Sequence, residues 1–360
     1  MNIYNQPPAI VGVAAGFPPH YCQQEELTKV LRDTYWVNGR SNLARLERFH
    51  RSVQVQGRYL ALPLESYAAL DGFSESNDAW IRVATDLGEQ TLCTLFAEND
   101  IRPAEITQLT VTTVTGIAVP TLDARLMNRI PFSPQLKRVP LFGLGCLGGV
   151  AGVARVADYL RGHPQEAAVL LAVELCSLTL QPDDLSIANI IATGLFGDGA
   201  AAVLLVGGAH PLATTAGPRV IASRSFFFPD TERVMGWDIT SEGFKVVLNA
   251  AVPEIAATEL RPAVDSFLGE RGLAIEDVEQ WISHPGGPKV IEAMQEGLGL
   301  SEDALQLSQE SLAEVGNVSS ASALFVLRET LRRFRPLGGS YGLMIAMGPA
   351  FCAELVLLQW

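Results

Sequence analysis

The runs AAVLLAVEL (167–175) and AAAVLLVGG (200–208) constrain the fold more than any other feature of this sequence. Each is almost continuously apolar, the pattern of a strand covered on both faces, so their sheet must carry helices on either side. The flanking segments supply them. AIVGVAAGF (9–17) and QLTVTTVTG (108–116) read as further strands, and residues 79–100 as an amphipathic helix. Residues 147–161 are helical by spacing, with Val150, Ala151, Ala154, Ala157 and Leu160 on one stripe. After a Pro/Gly-marked stretch at 211–218 the alternation resumes: GFKVVL, a helix near 253–270, WISHP, a helix near 319–334, and the closing strands SYGLMIAMG and AELVLLQW. Alternation of this kind predicts a layered α/β fold around a mostly parallel sheet.

The two parts of the chain also rhyme. GLGCLGGVAGVARVADYL and VGNVSSASALFVLRETL each run from a Gly-flanked polar residue into a helix that begins with small residues. Two related halves packed face to face are therefore expected, and 360 residues are enough to bury most of their apolar surface without a metal or disulfide staple. Charged residues make up only 18%, and a net charge of −13 leaves no excess cation to neutralise nucleic-acid phosphates or an anionic membrane. The five cysteines (Cys22, Cys93, Cys146, Cys176, Cys352) show no metal-ligand spacing, and their odd, scattered count fits a reducing compartment. The first residues lack the basic and apolar regions of a secretory leader, and no uninterrupted apolar run has membrane-spanning length. A soluble cytoplasmic protein is expected.

Three residues stand out chemically. Cys146, in Gly-Leu-Gly-Cys-Leu-Gly-Gly, sits where a tight turn feeds a helix, and a helix N-terminus favours the thiolate. A small buried core cysteine is the alternative. His284 ends an apolar strand in Trp-Ile-Ser-His-Pro-Gly-Gly-Pro, and Asn317 precedes a helix in Val-Gly-Asn-Val-Ser-Ser. Each alone reads equally as a loop histidine and a helix cap. Together, in the order Cys, His, Asn, they fit two enzymes: a papain-like cysteine protease, whose characteristic cysteine neighbourhood is missing here, and a condensing enzyme that works on thioesters. The second chemistry suits the residues. A thiolate both attacks and leaves a thioester well, and decarboxylation of a malonyl thioester creates an enolate oxygen that His284 Nε2 and the Asn317 amide can stabilise. An imidazolium at His284 would hold Cys146 as thiolate.

Four segments in order, GLGCLGG, GLFGDGAAAVLL (194–205), WISHPGGP (281–288) and GNVSSA (316–321), make the chain resemble the type III polyketide synthases, the chalcone synthase-like family, along nearly its whole length. RYLALPLESY (58–67) and GIAVPTLDARLMNRI (116–130) are most similar to the bacterial alkylpyrone and alkylresorcinol synthases. The resemblance implies a thiolase-type α-β-α-β-α sandwich, with a first half at 1–215 carrying the nucleophile and a second at 216–360 carrying His and Asn. It implies Cys146, His284 and Asn317 as the catalytic set and Phe196 as gatekeeper of the entrance. Cys176, Thr179, Gly243, Ser319, Met347, Gly348 and Pro349 would line the cavity, and Val119 would reach across a homodimer. Arg48, Arg51 and Arg58, in an arginine run that includes Arg45, would meet the phosphates of coenzyme A. The family's Gly-Phe-Gly-Pro-Gly loop appears here as Ala346-Met347-Gly348-Pro349-Ala350.

The implied activity is iterative decarboxylative condensation of malonyl-CoA onto an acyl-CoA starter. A medium or long fatty acyl starter and closure to an alkylpyrone or alkylresorcinol are expected, with CoA thioesters as substrates and no separate cofactor or metal. A single-condensation ketoacyl synthase of the same fold, the protease, and a non-catalytic acyl-CoA-binding protein are the alternatives.

Overall fold

The computed structural model describes residues 6–35, 40–214, 217–334 and 336–360. The expected junction of the halves at 215/216 and the first five residues of the chain lie outside these. In chain order the strands are β1 (Ala9–Gly16), β2 (His20–Gln23), β3 (Gly57–Leu60), β4 (Ile106–Thr113), β5 (Lys137–Phe142), β6 (Ala167–Leu175), β7 (Asp198–Val206), β8 (Arg219–Phe227), β9 (Met235–Thr240), β10 (Gly243–Leu248), β11 (Val278–Ser283), β12 (Tyr341–Gly348) and β13 (Cys352–Gln359). The helices are α1 (Gln24–Val30), α2 (Arg40–Ser52), α3 (Gly72–Glu98), α4 (Leu122–Leu126), α5 (Gly148–Gly162), α6 (Ile187–Leu195), α7 (Val252–Gly269), α8 (Pro288–Leu298), α9 (Gln306–Val315) and α10 (Ser322–Arg333).

Period-two burial explains the layers. Along β6, Val169, Leu171 and Val173 pack under α3, while Ala168, Leu170 and Ala172 face α5 and α10. Along β12, Met344 and Ala346 face that same central helical layer, while Leu343 and Ile345 pack under α7 and α8. The order is thus helix, sheet, helix pair, sheet, helices: the expected five-layer α-β-α-β-α sandwich. The strands run in the order β11-β12-β13-β8-β1-β7-β6-β4-β5. Only one register pair, Ala9↔Arg219, joins β1 to β8, so the sheets of the two halves meet at a seam.

The sheet is mixed, not mostly parallel. β4–β5, β4–β6 and β11–β12 are parallel. The other five pairings are antiparallel. Cover on both faces, not strand direction, makes a strand apolar throughout. Helices flank antiparallel β7 as completely as parallel β4.

Candidate active site

Cys146 lies in a single 3₁₀ turn, Gly145–Leu147, that runs directly into α5. The turn is tight because its neighbours are close. Gly145 adopts φ +53°, and a Cβ there would come within 2.5 Å of the Pro349 ring. Gly348 packs against the same turn, where a Cβ would lie 2.7 Å from the Leu144 carbonyl. The Ala346–Ala350 loop therefore buttresses the Cys146 turn. Ala350 holds φ +58° at the place of the family's last glycine.

His284 follows β11 and extends its parallel ladder, its N–H donating to Ile345 O at 2.8 Å. Asn317 uses its side chain twice. Oδ1 accepts the Ser319 N–H at 2.8 Å, capping the 3₁₀ turn Ser319–Ala321 that leads into α10. Nδ2 donates to Gly286 O at 3.2 Å, beside His284, which leaves its second N–H for a substrate. The cap reading open in the sequence is realised, and Asn317 also lines the cavity described next.

These residues meet at one cavity of about 730 Å³. Cys146, His284, Asn317 and Ser319 face it, as do Cys176, Phe196, Met347 and Pro349. Ile187, Ile191, Leu195, Met235, Trp237 and Leu248 give it a largely apolar wall. Arg48 and the exposed Lys289, at the start of α8, supply its cations. A side pocket of about 60 Å³ adjoins through Cys176, Phe196, Trp237 and Val246, so Phe196 stands at the neck between the two spaces.

Burial governs the ionisation. It pushes the Cys146 thiol up to about 12, with hydrogen bonding to Ser319 and Asn317 acting the other way. It pulls His284 down to about 3, and neither ring nitrogen has a hydrogen-bond partner among the described residues. Burial thus works against charge on both Cys146 and His284, the opposite direction to an ion pair between them. Glu174, fully buried beside them, is raised to about 7 by the same desolvation. Its carboxylate accepts from the Val114 N–H at 3.1 Å, Thr115 Oγ1 at 2.8 Å and Ser320 Oγ at 2.5 Å.

Several assignments change. Arg58 is 1% exposed and bonds to backbone oxygens, which withdraws it from the CoA phosphates. Arg45 and Arg51 are exposed, and of the arginine run only Arg48 reaches the cavity wall. Gly243 lies outside the cavity: at φ +110° it faces Phe73, whose ring a Cβ would approach to 3.2 Å, and Val246–Leu248 of the same strand supply the wall instead. Thr179 lines the side pocket, its hydroxyl donating to Cys176 O at 2.7 Å. Val119 lines no part of this chain's own cavity and is 95% exposed, which leaves its expected contact across a dimer unchanged. Sequence reasoning missed Lys289, Trp237 and Glu174. The last carried a signal, a lone acid inside an otherwise apolar run.

Among the described residues, no helix is long and apolar enough to cross a membrane, and no cluster of three or more His, Cys, Asp or Glu could hold a metal. Comparison with known proteins gives the family. Residues 3–211 match the N-terminal domain of chalcone and stilbene synthases, and residues 219–360 the C-terminal domain. The chain is 47% identical to a 1,3,6,8-tetrahydroxynaphthalene synthase of Streptomyces peucetius over 98% of its length and 93% of that protein's. It is 34% identical to a putative chalcone synthase of Bacillus subtilis over 98% of both. Among solved structures, the 1,3,6,8-tetrahydroxynaphthalene synthase of Streptomyces coelicolor, a bacterial type III polyketide synthase, superposes with a TM-score of 0.91 at 28% identity, covering 98% of this chain and 99% of that one. A thiol turn, a histidine and an asparagine converging on one apolar cavity, within two domains that both match, make this chain a member of the chalcone and stilbene synthase family, the type III polyketide synthases, acyltransferases that condense malonyl-CoA units iteratively.

Proposed function

We propose that Cys146 carries the growing acyl chain while His284 and Asn317 hold the thioester oxygen of malonyl-CoA. As CO₂ leaves, charge develops on that oxygen, and the Asn317 N–H and His284 imidazole are the donors facing it. The enolate carbon then attacks the acyl carbonyl on Cys146. A C–C bond forms, the C–S bond breaks, and the lengthened chain returns from CoA to sulfur for the next round. Phe196, at the neck of the cavity, keeps water from the enolate. On this reading the chain divides functionally into a nucleophile half, 1–215, and a donor half, 216–360. It needs no cofactor beyond its CoA thioesters, works in the cytoplasm where these are made, and acts as a homodimer through the face that exposes Val119.

For the product, the observation with most weight is the 47% identity, over nearly the full chain, to a 1,3,6,8-tetrahydroxynaphthalene synthase. It supports malonyl-CoA as both starter and extender, with release by aromatic ring closure. The apolar wall favours a second reading, a medium or long fatty acyl starter closed to an alkylpyrone or alkylresorcinol. Incubation with malonyl-CoA alone, and with a panel of acyl-CoAs, read by mass spectrometry, decides. A fused polyphenol from malonyl-CoA alone is expected. No product without an added fatty acyl-CoA would establish the second reading. Light scattering tests the dimer.

A further inference from the structure

We propose that Arg58 is a positioning residue for Asn317 and Phe196, acting through the carbonyl groups that end α6. Its guanidinium is buried, and its hydrogen-bond partners among the described residues include no carboxylate. It serves a row of backbone oxygens instead. Nη1 donates to Thr193 O at 2.9 Å and Phe196 O at 2.8 Å, and Nη2 to Gly194 O and Gln24 Oε1. Gln24 Nε2 donates to Gly194 O as well, at 3.0 Å. The carbonyl that Arg58 skips is the one Asn317 uses: Leu195 O accepts the Asn317 N–H at 2.9 Å, and the Gly197 N–H donates to Asn317 O at 3.0 Å.

Residues 193–197 therefore form a strap with Arg58 on one edge and the backbone of Asn317 on the other, with Phe196 between them. A helix end leaves its last carbonyls unpaired and carries partial negative charge, so a cation is the fitting partner. The planar fork matters too, because it reaches three carbonyls at once where an ammonium is a single point. There is no slack at the contact: a Cβ on Gly197 would lie 3.2 Å from Arg58 Cβ and 2.3 Å from Val315 O. Nothing comparable connects Arg58 to Cys146, whose turn is braced by the Ala346–Ala350 loop. Loss of the strap should disturb the donors and spare the nucleophile. The inference rests on the roles proposed above for Asn317 and Phe196.

The test separates the two steps. Arg58→Lys, Gln24→Ala and Asn317→Ala are compared with wild type, per folded molecule, for acylation of Cys146 by intact-protein mass spectrometry and for CO₂ release from malonyl-CoA. Arg58→Lys is expected to acylate within about twofold of wild type and to lose about 10- to 100-fold in decarboxylation, mainly in kcat, the scale of a catalytic group displaced by about 1 Å. Gln24→Ala, which removes one partner of the fork, should show the same split in smaller measure, and it carries the test alone if Arg58→Lys does not fold. Acylation and decarboxylation falling together, or decarboxylation unchanged in the folded variants, overturns the inference. Wild-type decarboxylation by Asn317→Ala would instead overturn the role given to Asn317, so the two failures are distinct.

Discussion

Gly145–Leu147 and Ser319–Ala321 are both single 3₁₀ turns that run straight into a helix, α5 in the first half and α10 in the second. They also touch: a Cβ on Gly149 would lie 2.1 Å from Ser320 O. The middle residues have different fates. Cys146 faces the cavity, whereas Ser320 is fully buried and spends its hydroxyl on Glu174. One turn presents a thiol to the cavity; its counterpart buries its middle hydroxyl against Glu174 and leaves the flanking Asn317 and Ser319 to face the cavity. Both helices bring N-terminal partial positive charge to the same place, which favours the thiolate and the enolate alike. Related turns can thus keep a common frame while the chemistry is divided between them.

The comparison is broken most severely at its centre. Cys146→Ala should lower product formation by about 10⁴-fold or more and abolish the acyl adduct, whereas Ser320→Ala should stay within about tenfold of wild type. Equal losses would mean that the two turns do not differ in role. Asn317→Ala should cost about 10²–10³ in malonyl-CoA decarboxylation, the scale of one lost oxyanion donor, with the acyl adduct still forming. An adduct lost together with decarboxylation would place Asn317 with the nucleophile.

The link between the turns gives a smaller, pH-dependent effect. Glu174 is raised from about 4.5 to about 7 by burial, so the folded state holds its proton more tightly than the unfolded chain. Its contribution is present below about 4.5 and is lost as pH rises through about 7, at most about 3 kcal/mol. Glu174→Gln should therefore gain stability relative to wild type between pH 5 and pH 8, measured by urea midpoints. A constant difference across that range would show that Glu174 does not titrate there. His50 has the opposite sign: pulled down to about 3, it costs stability as pH falls below its ordinary range. The smallest effect belongs to the mouth. Arg48→Ala and Lys289→Ala should each raise the KM for malonyl-CoA about three- to tenfold with little change in kcat, an effect that salt erodes. A change in kcat alone would remove them from CoA binding.

Much of this was legible in the sequence. Apolar runs such as AAVLLAVEL announce cover on both faces, and glycines around Cys146 announce a tight turn, because each depends on near neighbours in the chain. Strand direction was not legible, since β4 and β7 are both buried along most of their length while running opposite ways with respect to β6. Arg58 was misread for a related reason. Its charge and its place in an arginine run suggest a surface, but three distant carbonyls decide its fate, and no local pattern records them. Gly243 failed likewise: a strand glycine signals a close approach, and what approaches is Phe73.

The seam between the half-sheets bears on how the enzyme is made. β1 is laddered along its length to β7, whereas its backbone ties to the second half are confined to its first two residues, Ala9 opposite Arg219 and Ile10 bonded to Gly217 and Pro218. The five strands that the first half contributes to the large sheet can therefore close upon each other while the ribosome is still adding the remainder. Such a nascent chain already holds Cys146, but α5 has no α10 against it, and neither His284 nor Asn317 exists yet. On the roles proposed above, it could hold an acyl group but could not decarboxylate malonyl-CoA.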